Sequence, residues 1–224
     1  MVKINKRSDP AEGSRNYRHG SRFDRLWEDF FGKCYLCEQD LGSSNIEHMI
    51  PHKGNDDLKT KWENLFLACV HCNSIKGTEF GDILNCTEID PEDIIEFSFD
   101  CNDFRGLPVF KLKDENEEHA IKGKQTVELL NKIFCEPNTD QRIKAAEKLC
   151  TDLLEEMLNF TELRIKYGRA KNDRFRENHL KSFEETLDRS APFAAFKRSE
   201  VRKAVVDDKG LIEKLKQFIA EDEK

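Results

Sequence analysis

The sequence predicts an α+β protein: a small zinc-stapled core embedded in a mainly α-helical chain. Three observations predict it. Four of the eight cysteines form two C-x2-C pairs, Cys34/Cys37 and Cys69/Cys72, separated by 31 residues. Short β-prone runs lie between and just after them. From about residue 119 onward, apolar residues recur at helical spacing.

Residues 1–33 read as an N-terminal arm and an aromatic helix. Positions 1–19 are polar and aperiodic, so an extended arm is expected. Phe23, Leu26, Trp27, Phe30 and Phe31 then fall on one helical face, with Gly32 as the stop, and the stripe is expected to pack into the core. Residues 34–85 form the cysteine-containing module. Residues 86–118 are acidic, and the runs "IIEFSF" (94–99) and "LPVFKL" (107–112) are expected to pair as a hairpin. Residues 119–224 read as helical and as a region for interaction or docking. One pattern runs from Ile121 to Ile133 before Pro137, and another from Ile143 to Leu163. Three further helices are expected near 174–188, 193–206 and 211–220.

Charge restricts the partners. The net charge is −7, whereas a chain that grips nucleic acid unaided usually carries excess positive charge. The distribution is uneven. Residues 1–25 hold seven Lys/Arg against three Asp/Glu, and residues 164–176 hold six against one. Residues 86–118 hold three against eleven. No apolar run reaches the roughly 18–20 residues of a spanning helix. No apolar stretch follows the basic residues of "MVKINKRSDP", so a cytoplasmic location is expected. Cysteines there are more often ligands or core residues than disulfides. Cys86, Cys101, Cys135 and Cys150 show no paired spacing and are expected as small buried residues.

Two C-x2-C knuckles supply four thiolates to one tetrahedral zinc. Such a site has no open position, so any chemistry must come from neighbouring groups. Between the knuckles stand Glu47 and His48, then Ile50–Pro51, His52 and Asn64–Leu65. Asn73 follows the second knuckle directly, and Lys76 comes three residues later.

In this order, these elements resemble the HNH nucleases, a family with a ββα-metal core. The resemblance covers about a fifth of the chain and implies a zinc-stapled ββα-metal (HNH) core and hydrolysis of phosphodiesters. By that resemblance Cys34, Cys37, Cys69 and Cys72 hold structural Zn2+, and His48 is the general base. Glu47 and Asn73 hold one catalytic Mg2+ or Mn2+. Asn64 positions the loop, Lys76 contacts substrate phosphate, and His52 is a further candidate for metal or phosphate. His71, inside the second knuckle, reads as an exposed spacer or a substitute ligand. Two departures stand out. Glu47 occupies a place often held by Asp, and Asn73 one often held by His. A neutral amide oxygen suits Mg2+ or Mn2+ better than zinc or nickel.

The layout of "KCYLCEQ", "EHMIPHK", "WENLFLACVHCNSIKG" and a helical tail resembles the HNH subunit of Septu-type anti-phage systems (PtuB), including retron-associated forms. That resemblance implies an ABC-type ATPase partner (PtuA-like), a DNA substrate and, in some systems, a retron reverse transcriptase with its msDNA. The chain contains no P-loop, so such an ATPase is a separate protein. The alternatives are a stand-alone restriction or resolvase-like nuclease, an RNA-cleaving (for example tRNA-cleaving) effector, and a non-catalytic zinc-binding interaction module.

Overall fold

The computed structural model describes residues 1–100, 106–114, 119–205 and 210–222, so Cys101 lies outside the described residues. The first helix, α1 (Gly20–Asp29), runs into the Cys34–Cys37 knuckle. Strand β1 (Asn45–His48) pairs antiparallel with β2 (Leu65–Ala68), placing Glu47 opposite Phe66 and His48 opposite Leu65. A short helix α2 (Asp56–Thr60) and a 3-10 turn (Trp62–Asn64) connect the two strands. Helix α3 (Val70–Lys76) follows β2 directly and completes a ββα unit.

After a single turn of helix, α4 (Pro91–Ile94), strands β3 (Ile95–Asp100) and β4 (Leu107–Leu112) form the expected antiparallel hairpin. The helical region consists of α5 (Ala120–Phe134), α6 (Asp140–Arg169), α7 (Asp173–Leu187), α8 (Ala194–Lys203) and α9 (Leu211–Asp222). No described helix is long and apolar enough to cross a membrane.

The core grows outward from β2, whose four residues are all buried. Phe66 meets Phe30 of the α1 C-cap at 5.6 Å and Tyr35 of the first knuckle at 4.9 Å. A second group of rings joins the hairpin to the helices. Phe196 of α8 lies 5.6 Å from Phe97 and 5.7 Å from Phe110, and Phe110 lies 5.4 Å from Phe134 of α5. A smaller cluster around Phe183, Leu187, Leu211 and Leu215 closes the far end of the helical region. Each such side chain contributes about 1.5–3 kcal/mol on full burial.

Three details differ from the sequence reading. The arm is not a free extension: Met1, Val2 and Ile4 are buried in the main core, and the Ile4 N–H donates to the Cys86 carbonyl at 2.8 Å. The aromatic stripe of α1 is only half interior. Leu26 and Phe30 are buried, whereas Trp27 and Phe31 are exposed. The chain turns left-handed at Phe31 (φ 56°), which carries that ring off the face, and the Trp27 indole folds over Gly32. Of the unpaired cysteines, Cys86 is buried, Cys150 half-buried and Cys135 exposed just past the end of α5.

Gly123 of α5 sits where that helix packs closely against Leu112 of β4 and Ile94 of α4. A Cβ there would sit 2.4 Å from Leu112 Cδ1 and 3.0 Å from Ile94 Cγ2. Gly123→Ala is therefore expected to destabilise the fold by about 1–3 kcal/mol in urea unfolding. Gly168→Ala, in α6 with open space around the added carbon, is expected to raise stability by about 0.5–1 kcal/mol.

Candidate active site

The two knuckles meet in the interior. The ligand atoms of Cys34, Cys37, Cys69 and Cys72 all lie within 4.8 Å of one another. Tetrahedral zinc with Zn–S bonds of about 2.3 Å holds its sulfurs about 3.8 Å apart, so the quartet fits that ion with little adjustment. Burial, and then the three neighbouring sulfurs, push the Cys72 thiol well above its ordinary value. Four thiolates require a cation to coexist in such a place. Cys69 caps α3, its sulfur accepting the Cys72 N–H at 3.3 Å. The Tyr35 N–H donates to the Leu67 carbonyl at 3.0 Å and fastens the first knuckle to β2. His71 does not join the four clustered ligand residues; its Nε2 lies 2.9 Å from the Ile133 carbonyl of α5.

Alternation along β1 sends Glu47 and His48 to opposite faces. Glu47 turns inward, and its Oε1 accepts from Lys76 Nζ at 2.8 Å. The same ammonium donates to the His48 carbonyl at 2.9 Å. Burial raises the Glu47 carboxyl above its ordinary value, and Lys76 opposes that rise. Lys76 is 0% exposed, so the expectation that it contacts phosphate is corrected: it is an interior cation that bolts α3 to β1.

The same pair bears on the expected Mg2+ or Mn2+ site at Glu47 and Asn73. In this structure the Glu47 carboxylate is paired with Lys76, so a divalent ion there would share that carboxylate with the ammonium. Asn73 is half-buried and lies one turn before Lys76, on the same face of α3. Among the described residues, the four cysteines are the one group of three or more His, Cys, Asp or Glu arranged to hold a metal.

His48 ends β1 and turns outward, half-buried. Its Nε2 lies 3.0 Å from the Lys59 carbonyl. A carbonyl only accepts, so Nε2 carries the proton and the neutral ring keeps a lone pair on Nδ1. Burial holds the imidazole below its ordinary pKa. The ring is flanked by His52 at 4.8 Å and by Tyr17 of the arm at 4.9 Å, both edge-on. The half-buried Tyr17 was not singled out from the sequence. The signal for it was an aromatic residue between Arg15 and Arg18 in an aperiodic stretch.

Asn64 ties the loop that follows His48. Its Oδ1 accepts the Ile50 N–H at 2.7 Å, and its Nδ2 donates to the carbonyls of Ile50 and Leu58, both at 2.9 Å. The Met49 N–H donates to the Asn64 carbonyl at 3.0 Å. The loop is thus held against the strand on either side of Pro51. His52 accepts the Gly54 N–H on its Nδ1 at 3.2 Å and caps the turn that leads into α2.

A four-sulfur staple, a two-stranded ribbon, a helix and an outward histidine backed by a carbonyl are in place together. Residues 34–79 match the HNH endonuclease family. The HNH match spans both knuckles, β1, β2 and α3. No curated protein and no solved structure matches the chain.

Lys76→Met leaves the Glu47 carboxylate buried without its partner and is expected to cost about 3–5 kcal/mol of stability in urea unfolding. The double change Glu47→Gln/Lys76→Met is expected to recover most of that loss. A double variant no more stable than Lys76→Met would show that the pair is not the source of the effect.

Proposed function

We propose that the chain is an endonuclease that hydrolyses phosphodiester bonds in DNA, with His48 as general base. The observation that carries this reading is the His48–Lys59 hydrogen bond within a segment that matches the HNH family. The bond sets the tautomer. Nδ1 takes a proton from water, the water oxygen attacks phosphorus, and the bond to the leaving oxygen breaks. Asn64 holds the loop that carries Lys59 and so acts as a positioning residue. A bound divalent ion supplies positive charge to the phosphate and the leaving oxygen in nucleases of this kind. No step is assigned to Glu47, whose cation here is Lys76.

The finer reading is a nuclease effector of a Septu-type anti-phage system that acts with an ABC-type ATPase. Two features support it: the order of the cysteine, Glu-His and Asn-Leu elements, and a net charge of −7, which favours a partner in finding DNA. Co-purification of such an ATPase with the tagged chain expressed from its native locus is the expected result. Full activity on DNA without one would remove this part of the reading.

His48→Ala is expected to lower Mg2+- or Mn2+-dependent cleavage of plasmid DNA by about 10²–10⁴-fold, with zinc content and melting temperature unchanged. Cleavage of RNA in place of DNA would redirect the substrate. Absence of cleavage of any nucleic acid by the wild type, with the partner present, would overturn the reading. The pH profile follows from the sign of the His48 shift. A lowered pKa keeps the imidazole neutral to lower pH, so the acid limb of the rate is expected below about 6.5, the ordinary histidine value.

A further inference from the structure

Tyr17 brings a stretch of the arm to the imidazole that the HNH match does not include, because the match begins at residue 34. The arm is fixed just before this stretch. Asp9 and Arg22 form a two-point ion pair, with Arg22 Nε 2.9 Å from Asp9 Oδ1. Arg22 is buried and also donates to the Thr60 carbonyl at 3.2 Å. Thr60 follows Lys59, whose carbonyl holds His48. Successive carbonyls of one segment therefore hold the arm and the imidazole. The Trp62 indole N–H donates to the Arg7 carbonyl at 2.7 Å and adds a second anchor.

From there the loop 12–19 carries exposed Arg15 and Arg18 on either side of Tyr17. The Arg18 guanidinium lies 5.3 Å from the Tyr17 ring centre, and Lys59 Nζ lies 5.9 Å from it. Among the described residues, no carboxylate pairs with Arg15 or Arg18. The loop's one carboxylate, Glu12, stands at its start. A chain of net charge −7 thus presents two exposed guanidiniums on the loop whose Tyr17 touches the imidazole, Arg18 against the Tyr17 ring and Arg15 two residues before it. Three residues of backbone span at most about 10–11 Å, and one strand of duplex carries a phosphate about every 3.4 Å along its axis. Successive phosphates of one strand are thus spaced within the span between Arg15 and Arg18.

Resting on the nuclease reading above, we propose that loop 12–19 is a substrate-binding element of this site. Arg15 and Arg18 contact backbone phosphates next to the bond addressed by His48, and the Tyr17–His48 contact holds them there.

The test uses the full-length, zinc-loaded chain with His48 intact, without added Mg2+ or Mn2+ so that the probe stays uncut, and a 20-base-pair duplex of arbitrary sequence as the probe. Binding is measured across roughly 20–150 mM salt. Removing two phosphate contacts lowers the slope of log K against log salt by about 1.8, and that loss is expected for Arg15→Ala/Arg18→Ala. The charge-matched control, Lys144→Ala/Lys214→Ala, changes exposed lysines on α6 and α9 and is expected to keep the parent slope. A slope for Arg15→Ala/Arg18→Ala equal to that of the parent overturns the proposal, as does a parent chain that fails to bind at the lowest salt. Plasmid cleavage by the wild type is scored separately. Cleavage with an unchanged slope sinks the loop assignment alone. A lowered slope without cleavage, even with the partner present, sinks the nuclease reading and leaves loop 12–19 as a nucleic-acid contact.

Discussion

The convergence of four cysteine sulfurs within 4.8 Å is the constraint on which the rest of the structure depends. The ββα unit is small: two strands of four residues each and a helix of seven. An isolated two-stranded ribbon is marginal in water, and so is so short a helix. The quartet joins the end of β2 and the start of α3 to a loop more than thirty residues earlier in the chain. It thereby fixes the direction in which α3 leaves the ribbon, and with it the position of Lys76. Metal binding of this kind contributes directly to folding free energy, because the unfolded chain has no such site.

Once α3 is fixed, the two-residue period of β1 decides the chemistry. Glu47 and His48 are neighbours in sequence and face opposite environments. The inward residue meets Lys76 and becomes part of a buried, hydrogen-bonded ion pair. The outward residue meets a carbonyl, two aromatic edges and solvent. Lys76 serves both faces, since its second hydrogen bond goes to the His48 carbonyl. Breaking such a pair costs far more than the pair contributes over an apolar substitute, so its presence argues for placement more than for stability.

Much of this was legible in the sequence because it rests on local spacing. The C-x2-C pairs, the five long helices after residue 119 and the β3–β4 hairpin follow from patterns within windows of a few residues. The features that were not legible depend on contacts between distant positions. Lys76 reads as a surface lysine until a carboxylate 29 residues earlier is found beside it. Met1, Val2 and Ile4 form too short an apolar run to carry a period, yet they are buried in the main core. Tyr17 lies in a stretch without periodicity, and distant bonds of the arm, Arg22–Thr60 and Trp62–Arg7 among them, bring it to His48. Cys135 is exposed because it falls just past the last turn of α5, where the apolar face ends.

The helical region also acts on the zinc module, and it does so through polar side chains. Lys33, one residue before the first knuckle, donates to the carbonyls of Arg189 at 2.5 Å and Ala191 at 2.8 Å, between α7 and α8. Glu38, one residue after that knuckle, accepts the Ala195 N–H of α8 at 3.1 Å and pairs with the Met1 amine. On the other side, Arg142 of α6 donates to the Ser74 carbonyl of α3 at 2.6 Å, and His71 of α3 reaches Ile133 of α5. Both knuckles are thus gripped from outside by bonds that span from about sixty to more than a hundred and fifty residues of chain. Lys33 and Glu38 are buried, and a buried charge stripped of its partners is strongly unfavourable. The helices therefore do more than cover apolar surface. They satisfy the charges that flank the first knuckle, and the ββα unit depends on them for that as it depends on its own cysteines for its shape.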